Sequence, residues 1–148
     1  VVVGASLWGF KSPFVHHILN KEILMIDFTS IDKALTNLKD ALSQEMDEYR
    51  RDGVIQRFEY TFELSWKFMQ RILKEEGVIA SSPMQIFREA FKAELISDFD
   101  LWAKLLKQRN LTVHTYNEKT ANEVFESAKI FPKEVETLIT VLKKRSKS

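Results

Sequence analysis

Arg109-Asn110-Leu111-Thr112-Val113-His114-Thr115-Tyr116 places a permanent cation, an imidazole and a phenol within eight residues. Here, in the spacing Arg-x4-His-x-Tyr, reactivity rather than packing decides the residue types. An imidazole can accept the proton of a ribose 2′-hydroxyl or give one to a leaving 5′-oxygen. A guanidinium stabilises the charge that builds on the phosphoryl group in between. The pair therefore suits cleavage of an RNA phosphodiester without a metal. A plainer reading is a cation and a capping histidine at a helix C-terminus, both common. At ordinary residue usage Arg-x4-His arises by chance in roughly one chain this size in seven, and a Tyr two residues later brings that to about one in two hundred.

Helical phase sharpens the problem. At 100° per residue Arg109 lies about 20° from Trp102, so it interrupts an apolar stripe instead of facing solvent. A guanidinium placed there needs a partner or a wet cleft. Tyr116 returns to the same face two turns later. His114 points about 140° away, on the side of Asn110, which is then placed to orient the imidazole. A regular helix would keep Arg109 and His114 apart. Either it distorts around Leu111-Thr112-Val113, where two β-branched residues weaken it, or two chains complete each other's sites.

The elements that must position this stretch are helical. A first helix is predicted from Thr29 or Ser30 to about Tyr49, with Ser30 as cap. The second runs from a cap at Asp52 to Gly77, with Ile55, Phe58, Phe62, Trp66, Met69 and Leu73 in one stripe. Leu64 and Phe68 form a patch on its other side, which makes it central or shared with a second subunit. Glu59 and Glu63 sit one turn apart at the stripe's edge, with Lys67 a turn further on. They are either an i,i+4 ion-pair ladder or carboxylates lining the Arg/His site. Ser82 and Pro83 open a third helix with Ile86, Phe87, Ala90 and Phe91 inward. A fourth begins near Asp98 and ends in the Arg/His stretch. Thr120-Ala121-Asn122-Glu123 reads as a capping box for the last helix, which Pro132 should kink or interrupt. The fold expected is all-α, an antiparallel bundle of four to five helices.

Composition limits the alternatives. The chain has 148 residues, one domain's worth, with 22 basic and 21 acidic side chains for a net charge of +1. It is no polyanion-coating protein, and any nucleic-acid contact must be local. The absence of Cys excludes disulfides, thiolate metal sites and thiol nucleophiles. Three His, two of them adjacent at 16 and 17, make no convincing metal cluster, and no cofactor is expected. No apolar run approaches ~20 residues and no basic leader is present, so a soluble, cytoplasmic chain is expected. Residues 1–24 hold two of the four Gly and two of the three His. They read as an N-terminal extension whose native status stays open, ahead of one bundle domain over residues 25–148.

The string from Asp52 to Lys67, DGVIQRFEYTFELSWK, followed by RNLTVHTY at 109–116, resembles the HEPN superfamily. The resemblance spans about residues 25–145 and lies with the branch of nucleotidyltransferase substrate-binding proteins, or HepT-like toxins. It implies a dimerising helical bundle, or a higher homo-oligomer, encoded beside a minimal nucleotidyltransferase. In toxin-like members the Arg/His pair is a metal-independent ribonuclease site, and the partner neutralises it by adding AMP to the tyrosine. Carried over by position, Arg109 and His114 would be catalytic, Asn110 supporting, and Tyr116 the modified residue. The same branch also implies an alternative, a non-catalytic subunit that binds nucleotide or substrate for the nucleotidyltransferase.

Overall fold

The computed structural model describes residues 25–147, so the expected extension over residues 1–24 lies outside the described residues. Within that range the chain forms five α-helices and one 3₁₀ turn, with no strand. They are α1 (Thr29–Leu42), α2 (Glu48–Glu75), α3 (Pro83–Lys92), α4 (Phe99–Asn110), the 3₁₀ turn (Leu111–His114) and α5 (Glu118–Ser146). The all-α expectation is met.

Helix orientation follows from the side-chain bonds. On α1 and α2, Asn37 bonds the Tyr60 hydroxyl at 3.4 Å and Phe28 stacks on Phe68 at 5.3 Å, so these helices run antiparallel. Lys143 near the end of α5 bonds Asp32 near the start of α1 at 2.8 Å, which sets these two antiparallel as well. The two longest helices run the same way. Arg51 and Glu118 pair at their starts, and Arg145 reaches both oxygens of Glu76 at 2.9 Å at their ends. The α3–α4 segment carries the chain back between them.

Five aromatic rings from four helices make the centre. Phe58 and Phe62 (α2), Phe87 (α3), Trp102 (α4) and Phe131 (α5) lie 5.2–6.2 Å apart, mostly tilted or edge-to-face. Such pairs add roughly 0.5–1.5 kcal/mol each beyond the area they bury. The Leu64–Phe68 patch is half-buried, and Phe28 covers part of it from within the chain. Helix α2 is therefore central, packed by all four other helices.

Several boundaries move from their sequence positions. Helix α1 ends at Leu42, not Tyr49, because Ser43 closes it and Asp47 then caps a new helix by accepting from the Arg50 N–H at 2.8 Å. Asp52, the expected cap, lies inside α2 beside Arg51. Ser30 does not cap α1 either. Asp27 accepts from both the N–H and the hydroxyl of Thr29, and these bonds hold its carboxyl below the usual range. The stop at Gly77 holds. Gly77 takes φ +85°, with Val78 N–H bonded to Leu73 O and Gly77 N–H to Lys74 O, a Schellman closure. Ser82 caps α3 with Pro83 at its start, but Phe91 is 49% exposed rather than inward. Asn117, not the Thr120 box, caps α5. Pro132 does not interrupt α5, whose helix is continuous through it. Burial of Phe131 and Val135 on either side holds both flanks in place.

Candidate functional site

Helix α4 is capped by Asp98, whose side chain accepts from the Leu101 N–H at 3.0 Å. It is anchored by Trp102, 2% exposed, whose ring lies 6.0 Å from Phe62. Arg109 emerges two turns later on the Trp102 side and meets the residue next to Phe62. Arg109 Nε lies 2.6 Å from Glu63 Oε1, with the two side chains 30% and 27% exposed. The contact is a close ionic one without an aligned hydrogen bond at Nε. One terminal nitrogen of the guanidinium donates to Asn110 Oδ1 at 3.4 Å. The partner that a cation on an apolar stripe demands is thus the α2 carboxylate.

After Asn110 the helix tightens into the 3₁₀ turn, at Leu111-Thr112-Val113 where distortion was expected. Threonine hydroxyls fix the tightening. Thr112 Oγ1 lies 2.8 Å from Arg109 O and 2.9 Å from Glu59 Oε2, and Thr115 Oγ1 donates to Thr112 O at 3.1 Å. These back-bonds compete with the regular helical ladder and end it. Glu59 and Glu63 therefore each hold a residue of the Arg/His stretch, and the ladder reading fails for this pair. Thr112 had no assigned role from sequence. A threonine three residues after Arg109 was the available signal. Gln108 had none either; it is 6% exposed and donates to Glu123 on α5 at 2.9 Å.

The turn regroups the other candidates. His114 Nδ1 lies 3.5 Å from Tyr116 Oη, their rings 6.0 Å apart at 76°. Asn110 goes to Arg109, not to the imidazole, and Tyr116 goes to His114, not to Arg109's face. The phase-based pairing assumed a regular helix, and the 3₁₀ turn changes the rotation between positions 110 and 114. No hydrogen bond or ring contact among the described residues joins Arg109 to His114. Both His114 and Tyr116 are exposed, Tyr116 at 86%. Among the described residues no three of His, Asp and Glu gather where they could hold a metal ion.

The family described as nucleotidyltransferase substrate binding protein like matches residues 26–144. This chain belongs to that family. A relative from Haemophilus influenzae, named probable ribonuclease HepT, is 30% identical over 138 residues, 86% of this chain and 94% of the relative. A crystal structure from Thermus thermophilus is similar at a TM-score of 0.71 and 37% identity, covering 76% of this chain and 98% of that one. A second solved structure, from Haemophilus influenzae, is reported to reveal the fold of a substrate binding domain of a nucleotidyltransferase. It matches at a TM-score of 0.71 and 27% identity, over 79% of this chain and 99% of that one. The family and its HepT-like relative agree with the branch that residues 52–67 and 109–116 pointed to. In this family member no helix among the described residues is long and apolar enough to cross a membrane.

Proposed function

We propose that this chain is a HEPN-type endoribonuclease toxin, with Arg109 and His114 as its catalytic residues. The carrying observation is the Arg109–Glu63 contact of 2.6 Å, which fixes a guanidinium beside a turn that presents an exposed imidazole. The relative named probable ribonuclease HepT supports the same reading. The ribose 2′-oxygen attacks the adjacent phosphorus and the bond to the 5′-oxygen breaks, leaving a 2′,3′-cyclic phosphate and a 5′-hydroxyl. His114 takes the 2′-hydroxyl proton or supplies one to the leaving oxygen, while Arg109 stabilises the dianionic phosphorane. Asn110 supports the guanidinium; Glu63 and Glu59 hold Arg109 and Thr112 in place. No step requires a metal or cofactor.

Because Arg109 and His114 do not touch within one chain, a homodimer or higher oligomer that apposes two copies would complete the site. The neutralising partner is a minimal nucleotidyltransferase acting in the cytoplasm. It transfers AMP from ATP to the phenolic oxygen of Tyr116, releasing pyrophosphate; that phenol is exposed and faces the imidazole at 3.5 Å. Adenylylation replaces the phenolic proton with a bulky phosphodiester beside His114, which blocks proton transfer there.

Expression of the chain alone should arrest growth, and His114→Ala should relieve the arrest and abolish cyclic-phosphate ends in RNA digests. Equal growth with both versions, and no cleavage by either, would sink the proposal. The second reading is a non-catalytic substrate-binding subunit, favoured by the family description and by the separation of Arg109 from His114. It requires a stable complex with the nucleotidyltransferase and no RNA cleavage. Incubation with that enzyme and ATP should add AMP to the wild type, while Tyr116→Phe stays unmodified.

A further inference from the structure

The face of α2 that carries Glu59 and Glu63 continues, at helical spacing, through Lys67, Arg71 and Lys74. These three cations line a groove of about 400 Å³ between α2 and the segment after Gly77. The opposite wall is held in place, since Gln70 on α2 donates to Ala80 O at 2.8 Å. Ile79, 71% exposed, supplies apolar surface on that wall. No carboxylate is among the lining residues. Arg71 also makes a long ion pair with Glu75 at 3.9 Å, so the groove's charge rests chiefly on exposed Lys67 and Lys74. In a chain whose net charge is +1, three cations within eight residues, facing one concavity, are a local concentration.

We propose that this groove is a binding track for the single-stranded RNA that the Arg109/His114 site cuts. The inference rests on the ribonuclease reading and adds a substrate-binding site to it. Along the axis of α2, Lys67 lies one turn, about 6 Å, beyond Glu63, whose carboxylate holds Arg109, and Lys74 lies about 16 Å beyond it. A backbone leaving the cleavage site along α2 therefore meets its next phosphates at Lys67 and Lys74. A cationic groove with an apolar contact for bases is the usual arrangement for sequence-tolerant single-strand binding. A groove of this volume is nucleotide-sized, whereas a protein partner needs a broader and flatter area.

The test uses the full chain carrying His114→Ala, so that RNA is bound and not consumed, with a fluorescent oligouridine as probe. Binding is measured by anisotropy across a salt series, with and without Lys67→Ala and Lys74→Ala together. Each lost phosphate contact removes roughly 0.7 from the slope of log K against log salt, so the double variant should lose about 1.4 and bind roughly 25-fold more weakly near 0.1 M salt. Lys67→Arg with Lys74→Arg should keep the slope and affinity, which separates charge from shape. Alanine favours helix at both exposed positions, so folding is preserved. An unchanged slope in the double alanine variant overturns the track, and so does a loss of nucleotidyltransferase binding without any loss of RNA affinity. Cleavage by the wild type that His114→Ala abolishes, together with an unchanged slope, removes the track alone. Absence of both cleavage and RNA binding removes the track and the ribonuclease reading together.

Discussion

Arg109 is a guanidinium at the edge of an aromatic core, and what it can do depends on Glu63. The carboxylate lies 2.6 Å from Nε, in ionic contact without an aligned hydrogen bond, and so holds the guanidinium against α2. A planar fork held this way loses little freedom when it meets a phosphate. On the proposed ribonuclease reading, Glu63 is a positioning residue rather than a catalytic one. Glu63→Ala should lower kcat for RNA cleavage by about ten- to a hundredfold, in line with a misplaced catalytic group, while KM changes little. Glu63→Gln keeps an oxygen toward Arg109 and should recover part of the loss. A fall in KM-based affinity with kcat intact would assign Glu63 to substrate binding instead. The stability effect of either change should be small, of order 1 kcal/mol or less, because the pair is partly solvated. The sequence showed that Arg109 needs a partner, since its phase against Trp102 is arithmetic. It left Glu63 undecided between Arg109 and the ladder, since choosing between them takes the crossing of α4 over α2, a tertiary fact.

At the scale of the elements, helix termini were legible where one residue type had a single use. Gly77 at φ +85° and Pro83 after Ser82 are cases, because left-handed backbone and a missing N–H leave few alternatives. Termini failed where several capping residues competed. Asp47 won over Asp52, and Asn117 over Thr120, in each case the earlier residue, whose side chain accepts from the N–H three residues on. The 3₁₀ turn after Asn110 was anticipated as a weakness at β-branched residues, but its regrouping of His114 with Tyr116 depends on threonine hydroxyl bonds that spacing does not reveal. Pro132 is the strongest element-scale test. It removes one N–H from α5 and crowds the Ala128 carbonyl, a cost of up to about 3 kcal/mol in a helix interior. Continuity of α5 through it means that the core compensates. Pro132→Ala should therefore stabilise, raising the melting temperature by about 2–4 °C for each kcal/mol gained in a chain of this size. Scanning calorimetry measures it, and a lowered melting temperature would mean that α5 is shaped around the proline.

For the whole molecule, the bundle topology explains both the stability and the position of the site. The all-α class followed from periodicity, yet the parallel course of α2 and α5 did not, because loop lengths alone cannot show that the α3–α4 segment returns the chain. That parallel pair is clamped at both ends by Arg51 with Glu118 and by Arg145 with Glu76, and Glu75 sits beside the second clamp. Glu75 is a carboxylate with one oxygen buried and lacking a hydrogen bond, and burial pushes its acidity toward the protonated form despite Arg71 at 3.9 Å. A carboxyl whose folded pKa is raised binds its proton more tightly in the folded state than in the unfolded one. It therefore destabilises the fold as pH rises through the ordinary glutamate value of 4.5, and fully so above the raised value. Asp27 and Glu136 act in the opposite sense. Their bonds to Thr29 and Lys39 lower their folded values, so their contributions are present at neutral pH and fade on acidification. Acid unfolding of the wild type thus mixes opposing slopes, and Glu75→Gln isolates one of them. The variant should match the wild type near pH 4 and become progressively more stable than it as pH rises, reaching a plateau by neutral pH. The plateau should be about 1 kcal/mol, the general scale for a buried polar atom left unpaired. Thermal melts of both chains from pH 4 to pH 8 measure the difference directly. A difference that is flat with pH would mean that Glu75's charge is already compensated where the two long helices end together.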